Sequence, residues 1–167
     1  MIAFADVHGA DGARLTLLCE SGVTEGNDRW AAGKAQVVSL GDLLDRGADS
    51  RKVMDLLMRL QLEAAQAGGG LQVVLGNHEA LNLLGDLRYV DAAEMAAYTD
   101  LEPAAVRDAA RTAWPGSCTA PCAPFETQFP PGWFGHRAAF APDGRYGQWL
   151  LSLPVAVRIN DALFVHG

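Results

Sequence analysis

Three short apolar runs each stop at a glycine-flanked polar motif, and this punctuation constrains the fold more than any other feature of the chain. Ile2 to Ala5 is cut off by Asp6-Val7-His8-Gly9, Val37 to Leu40 runs into Gly41-Asp42-Leu43-Leu44-Asp45-Arg46-Gly47, and Leu71 to Leu75 runs into Gly76-Asn77-His78-Glu79. Continuous apolar runs of this length, bounded by turn residues, read as buried strands. An amphipathic stretch around Leu15, Leu17 and Leu18 follows the first. After the second, Asp49 or Ser50 can cap a helix whose apolar positions Val53, Leu56, Leu57, Leu60 and Ala64 fall at helical spacing, ending at Gly68-Gly69-Gly70. Strand, helix, strand with short connections predicts a parallel α/β sheet, where ligands gather at the carboxyl ends of strands. The motifs sit at those ends.

Further along, positions 80 to 112 are Ala-rich and helical in pattern, with Asp91 and Pro103 as helix starts. Five of the eight prolines fall between Pro115 and Pro131, so Pro115 to Gly132 reads as a loop or surface excursion, which also carries Cys118 and Cys122. A short helix near Gly144 to Leu151 leads to a hairpin of Val155 to Ile159 and Ala162 to Val165 across Asn160-Asp161, and the last strand ends in His166-Gly167. At 167 residues one domain is expected, residues 1–167, with a helical and Pro-rich insertion at about 80–150.

Polar residue placement points to chemistry. Three of the four histidines lie at strand ends, together with Asp6, Asp42 and Asn77. Carboxylate, imidazole and amide oxygen suit divalent metals such as Mn, Fe and Zn, and no thiolate stands at a strand end. A pair of ions needs one ligand that touches both, and a carboxylate at a sharp Gly-flanked strand end nominates Asp42. Asp6 and His8 would hold one side, Asn77 and His166 the other. Taken singly, an Asp-x-His is more often a capped turn and an Asp-Arg pair a surface ion pair. Four motifs in order at four strand ends make coincidence a poor account. His136 stands outside any motif and is read as structural or solvated rather than catalytic, and Met54, Met58, Trp30, Trp114, Trp133 and Trp149 as core or loop packing.

Asp6-x-His8-Gly9, Gly41-Asp42-x-x-Asp45-Arg46-Gly47, Gly76-Asn77-His78-Glu79 and Val165-His166-Gly167 resemble, in order, the motifs of calcineurin-like metallophosphoesterases of the phosphoprotein phosphatase type. The intervening stretches Glu79 to Val90 and Phe134 to Leu150 are similar to the bacterial Shewanella-like branch. The resemblance implies a sandwich of mixed sheets flanked by helices. It also implies metal-dependent hydrolysis of phosphate monoesters, with a protein (Ser/Thr or Tyr) as substrate, by in-line attack of a metal-bridging hydroxide. Asp6, His8 and Asp42 would bind the first metal, and Asp42, Asn77 and His166 the second. His78 would protonate the leaving oxygen with Asp45 orienting it, and Arg46 would clamp phosphate oxygens. Arg88 and Arg137 are candidates for a second guanidinium. Relative to the family pattern the chain stops one residue short of the full His-Gly-Gly, so an incomplete C-terminus is expected. A nucleotide phosphohydrolase of the same superfamily, acting for example on dinucleoside polyphosphates, and an inactive fragment with a partial metal site are the alternatives.

The formal charge of −7 is no objection, because two cations meet the phosphate dianion locally. It does exclude sequence-independent nucleic-acid binding, since no Lys/Arg run exists to track a backbone. No apolar run reaches the roughly 20 residues a membrane helix needs. The expected location is cytoplasmic, or periplasmic if a signal lies upstream. Cys118 and Cys122 read as free thiols, a loop-closing disulfide or a zinc clip.

Overall fold

The computed structural model of the chain describes residues 1–26, 28–117 and 123–167, so the expectations for Cys118 and Cys122 lie outside the described residues. Strand β1 (Ile2–Phe4) is followed by α1 (Asp11–Glu20), a small hairpin of β2 (Thr24–Glu25) and β3 (Arg29–Trp30), then β4 (Gln36–Ser39), α2 (Ser50–Gln66) and β5 (Gly70–Val73). The three longer strands form a parallel sheet in the order β1-β4-β5, with Ile2 opposite Val37 and Val37 opposite Leu71. The crossover connections through α1 and α2 are what parallel pairing requires. Only the central strand β4 is buried at consecutive positions, Val37, Val38 and Ser39. β1 and β5 alternate, with Ala3 and Gln72 exposed. The apolar runs of those two strands overstate burial, because each lies at an edge of the sheet.

α2 packs its expected stripe of Val53, Leu56, Leu57, Leu60 and Ala64, with Met54 added, against the sheet and against Phe4, Leu18 and Tyr146. Each fully buried side chain of this kind contributes on the order of 1.5–3 kcal/mol. Gly68, with φ of +76°, turns the chain out of the helix and into β5. Asp49 occupies the N-cap position of α2 but makes no cap bond. Its carboxylate instead takes Lys52 Nζ at 2.6 Å.

The remainder is helical until the end: α3 (Asn77–Leu84), α4 (Ala92–Ala96), a 3₁₀ turn (Thr99–Leu101), α5 (Ala104–Ser117), α6 (Phe125–Gln128), α7 (Trp133–Ala139) and α8 (Arg145–Ser152). Asp91 caps α4 as expected, accepting from Ala93 N–H at 2.7 Å. The expectation of a plain loop over Pro115 to Gly132 is corrected on both sides: α5 runs on to Ser117, and α6 forms within the Pro-rich stretch. Aromatic packing outweighs the prolines there. Phe129 meets Trp114, Phe125, Trp133 and Phe134 with centroids 4.9–5.5 Å apart, and such pairs stabilise beyond their buried area.

The chain closes with the expected antiparallel hairpin, β6 (Ala156–Ile159) and β7 (Ala162–Val165), whose turn puts Asn160 at φ of +54°. It is tethered to the parallel sheet by Leu75 N–H on the Pro154 carbonyl at 2.9 Å. Among the described residues no helix is long and apolar enough to cross a membrane.

Candidate metal centre

Because β4 lies between β1 and β5, the three polar loops that leave these strands stand side by side with the Gly41 to Gly47 loop in the middle. The first two are joined backbone to backbone, with His8 N–H donating to the Asp42 carbonyl at 3.0 Å, Gly9 N–H to Leu43 at 2.8 Å and Gly47 N–H to His8 at 2.9 Å, while the third is joined to the middle one through side chains, His78 N–H donating to Asp42 Oδ1 at 3.1 Å. Space at two of these contacts admits only glycine. A Cβ on Gly47 would lie 2.5 Å from the His8 carbonyl oxygen, and one on Gly76 would lie 2.5 Å from both the amide and Oδ1 of Asp42. Asp6, His8, Asp42, Asp45 and Arg46 all take positive φ, between 48° and 70°. This backbone is uncommon for non-glycine residues, least so for Asp and His, and for Arg46 it costs on the order of 1–3 kcal/mol and persists only where surrounding bonds over-determine it.

Glu79 supplies much of that determination. Fully buried in the first turn of α3, it accepts from Asp42 N–H and Gly76 N–H through Oε2 at 2.9 and 2.8 Å, and from Leu43 N–H through Oε1 at 2.8 Å. Burial raises its carboxyl above the ordinary range, and the three backbone donors oppose that shift. Sequence reasoning read Glu79 only as the last residue of its motif. The available signal was a Glu three residues after a helix-starting glycine, the spacing at which a carboxylate reaches back to open N–H groups.

Asp42 lies at the centre of the candidate ligands. His8 Nδ1 donates to the Leu44 carbonyl at 3.0 Å, which leaves Nε2 facing Asp42 Oδ2 at 3.9 Å. His166 Nδ1 donates to the Leu40 carbonyl at 2.8 Å, which leaves Nε2 at 3.3 Å from Asp42 Oδ1 and 2.9 Å from Asn77 Oδ1. A carbonyl can only accept, so it fixes the ring proton on Nδ1 and turns the Nε2 lone pair inward. The inward-facing atoms are then lone pairs on carboxylate, amide and imidazole, and a cation satisfies such a set. By proximity the ligand atoms form two groups within 4.8 Å, His8 with Asp42 and His78, and Asp6 with Asp42 and His166. Both contain Asp42, and they cross the expected division in which Asp6 goes with His8.

His78 differs from the other two histidines. Its Nδ1 donates to Asp45 Oδ2 at 2.7 Å, and its Nε2 lies 3.4 Å from Arg46 Nη2. A guanidinium beside Nε2 disfavours a metal ion at the same atom. Asp45 is itself held by Asn82 Nδ2 on Oδ1 at 2.9 Å, and its own N–H reaches the Ser50 hydroxyl at 3.2 Å. Asp45 and His78 are buried while Arg46 is exposed, and Arg46 N–H bonds the carbonyl of Tyr89, whose ring lies 5.2 Å from that of His78. Asn82 and Tyr89 lie in the Glu79 to Val90 stretch that carries the family resemblance, and Ser50 was read only as a helix cap, so none was assigned to the site from sequence.

The other candidates are committed elsewhere. Arg88 binds Asp86 at 2.8 and 2.6 Å, and Arg137 donates to the Asn82 carbonyl at 2.6 Å. His136 is buried, stacked on Phe140 at 4.3 Å and edge-on to Tyr98 at 4.8 Å. Burial pushes its pKa down to about 3, so it is a neutral core residue, in line with its structural reading. Cys19 is free and exposed.

The model of the family Calcineurin-like phosphoesterase matches residues 1–167. The chain is 39% identical over 90 residues to Shewanella-like protein phosphatase 2 of Arabidopsis thaliana, covering 54% of this chain and 23% of that protein. It is 27% identical over 167 residues to Shewanella-like protein phosphatase 1 of Plasmodium berghei (strain Anka), covering 100% and 38%. Among solved structures, the cold-active protein-tyrosine phosphatase of a psychrophile Shewanella sp. superimposes with a TM-score of 0.70 at 30% identity, over 99% of this chain and 41% of that one. The chain thus spans well under half the length of each of these relatives.

Proposed function

Because the chain belongs to the calcineurin-like phosphoesterase family, we propose that it hydrolyses phosphate monoesters at the site centred on Asp42, with a phosphorylated protein as substrate. The observation that carries this reading is the convergence of metal-type acceptors on Asp42 beside the His78–Asp45 pair and Arg46. The substrate class is supported by relatives named as protein phosphatases and by a structural neighbour named as a protein-tyrosine phosphatase. Residues 1–167 are read as part of one such domain, with the helical and Pro-rich segment of about 80–150 as an insertion.

Asp6, His8, Asp42, Asn77 and His166 would hold two divalent or trivalent ions, with Mn, Fe or Zn fitting their oxygen and nitrogen donors. When bound, such ions supply positive charge for the phosphoryl oxygens and an acidified water. The chain's own groups do the rest. Arg46, exposed at the mouth, offers a planar fork to two phosphoryl oxygens. His78 carries a proton on Nε2 to the leaving oxygen, and the buried Asp45 carboxylate on Nδ1 stabilises the imidazolium and fixes its orientation.

Calorimetric titration with Mn²⁺ and Zn²⁺, together with phosphate release from phosphotyrosine and phosphoserine peptides, tests this directly. The unaltered protein should bind two ions and release phosphate. Asp42→Asn should weaken both ions by more than the roughly 10–100-fold typical of losing an outer partner. Unchanged stoichiometry and affinity in Asp42→Asn would remove the two-ion reading.

A further inference from the structure

The first turn of α2 has no cap and no acidic residue of its own, since Asp49 is turned to Lys52. A residue distant in sequence fills that place. Glu94, in α4, is 2% exposed and accepts the Arg51 N–H through Oε1 at 3.1 Å. The same turn holds Ser50, also 2% exposed, whose Oγ takes the Asp45 N–H at 3.2 Å. Ser50 Oγ also lies 2.9 Å from where a Cβ on Gly9 would stand, so this hydroxyl is wedged between the first two motif loops. Asp45 in turn holds His78 at 2.7 Å. The contacts are continuous from Glu94 to the imidazole.

We propose that Glu94 is a positioning residue for the His78–Asp45 pair, acting through the first turn of α2 and the Ser50 hydroxyl. The inference rests on the role proposed above for His78. A carboxylate at a helix N-terminus meets the positive end of the helix dipole and satisfies open N–H groups. Anchoring this turn fixes Ser50, and Ser50 fixes the strained backbone of Asp45.

The strength of the cap depends on charge. Glu94 faces the N–H groups of Ser50 and Arg51 and the carboxylate of Asp49 from the α2 end, and the Tyr98 hydroxyl from the segment after α4. The Arg51 guanidinium is drawn away to Asp100 at 2.6 and 2.9 Å, with Tyr146 of α8 beside it. Glu94 Oε2 and the Tyr98 hydroxyl are both buried and face each other. Burial raises the Glu94 carboxyl to about 7. The anionic cap is therefore present above neutrality and lost below it, and the His78–Asp45 geometry is firmest on the alkaline side.

Leaving-group dependence separates positioning of a proton donor from general structural support. With phenyl phosphate, a poor leaving group, Glu94→Gln should lower kcat about tenfold at pH 8, a part of what a general acid typically contributes, with KM unchanged. With 2,4-dinitrophenyl phosphate the loss should stay within about twofold, because little proton transfer is needed. The part of the pH dependence of kcat that arises between pH 6 and pH 8 from Glu94 should be lost, and Ser50→Ala should reproduce the leaving-group pattern. Equal losses on both substrates, or no loss on either, would overturn the proposal. A second measurement needs no turnover: in the proton NMR spectrum, the His78 Nδ1–H resonance should broaden or move upfield in Glu94→Gln. An unchanged resonance overturns the role of Glu94 even if the protein releases no phosphate, an outcome that by itself would refute only the proposed activity.

Discussion

The left-handed backbone occurs in two settings in this molecule, and they are built differently. In the β2–β3 and β6–β7 hairpins it falls on the half-buried Asp28 and the exposed Asn160, residue types that adopt it at low cost. In the motif loops it falls on Asp6, His8, Asp42, Asp45 and Arg46, which include residues that resist it. A turn needs the shape alone. The loops need the shape together with a particular side chain, so neighbours must hold what the residue itself disfavours, and Glu79, Ser50 and Asn82 do that holding.

Replacement by glycine measures this difference, because glycine keeps the backbone and deletes the side chain. The largest effect is expected for Asp45→Gly. Turnover on a poor leaving group should fall about 10²–10⁴-fold. The buried His78 Nδ1 loses its acceptor, at about 1–3 kcal/mol in a urea melt, and Asn82 Nδ2 keeps only its bond to the His78 carbonyl. Normal turnover would show that the loop is only a turn. Next comes Gly76→Ala, where φ is not positive and space alone is limiting. A methyl 2.5 Å from the Asp42 amide should cost about 3 kcal/mol and weaken metal binding; a stability loss under about 1 kcal/mol would mean that the loops are not interlocked. The smallest effect is expected for Asn160→Gly, within about 0.5 kcal/mol and with no change in kinetics. A kinetic change there would erase the distinction between the two settings.

The same distinction explains how far the sequence could be read. The parallel sheet, α2 and the Asn160-Asp161 hairpin were legible because each is specified locally, by an apolar run, a helical stripe or a turn pair. Asp42 and its neighbours were legible because strand ends collect them. Glu94 was not, since a carboxylate that accepts from a remote backbone N–H has no periodicity to betray it, and of Glu79 only the cap spacing to Gly76 was legible, not its bonds to Asp42 and Leu43. The β2–β3 hairpin was hidden by strands of two residues each. The stretch from Pro115 to Gly132 misled because proline is a local signal, while the contacts of Phe129 that shape it come from three separate segments.

His166 also bears on the order of assembly. The bond from His78 N–H to Asp42 Oδ1 closes a span of 36 residues, whereas that from His166 to the Leu40 carbonyl closes 126. Loop-closure entropy grows with the logarithm of length, so the longer closure costs about 1 kcal/mol more before any contact rewards it. In a folding chain the three loops of the parallel sheet can therefore come together early, with His166 the last candidate ligand to arrive. Metal added during refolding should meet a half-built site first and capture the hairpin second, which would show as two kinetic phases, the slower one abolished by His166→Ala.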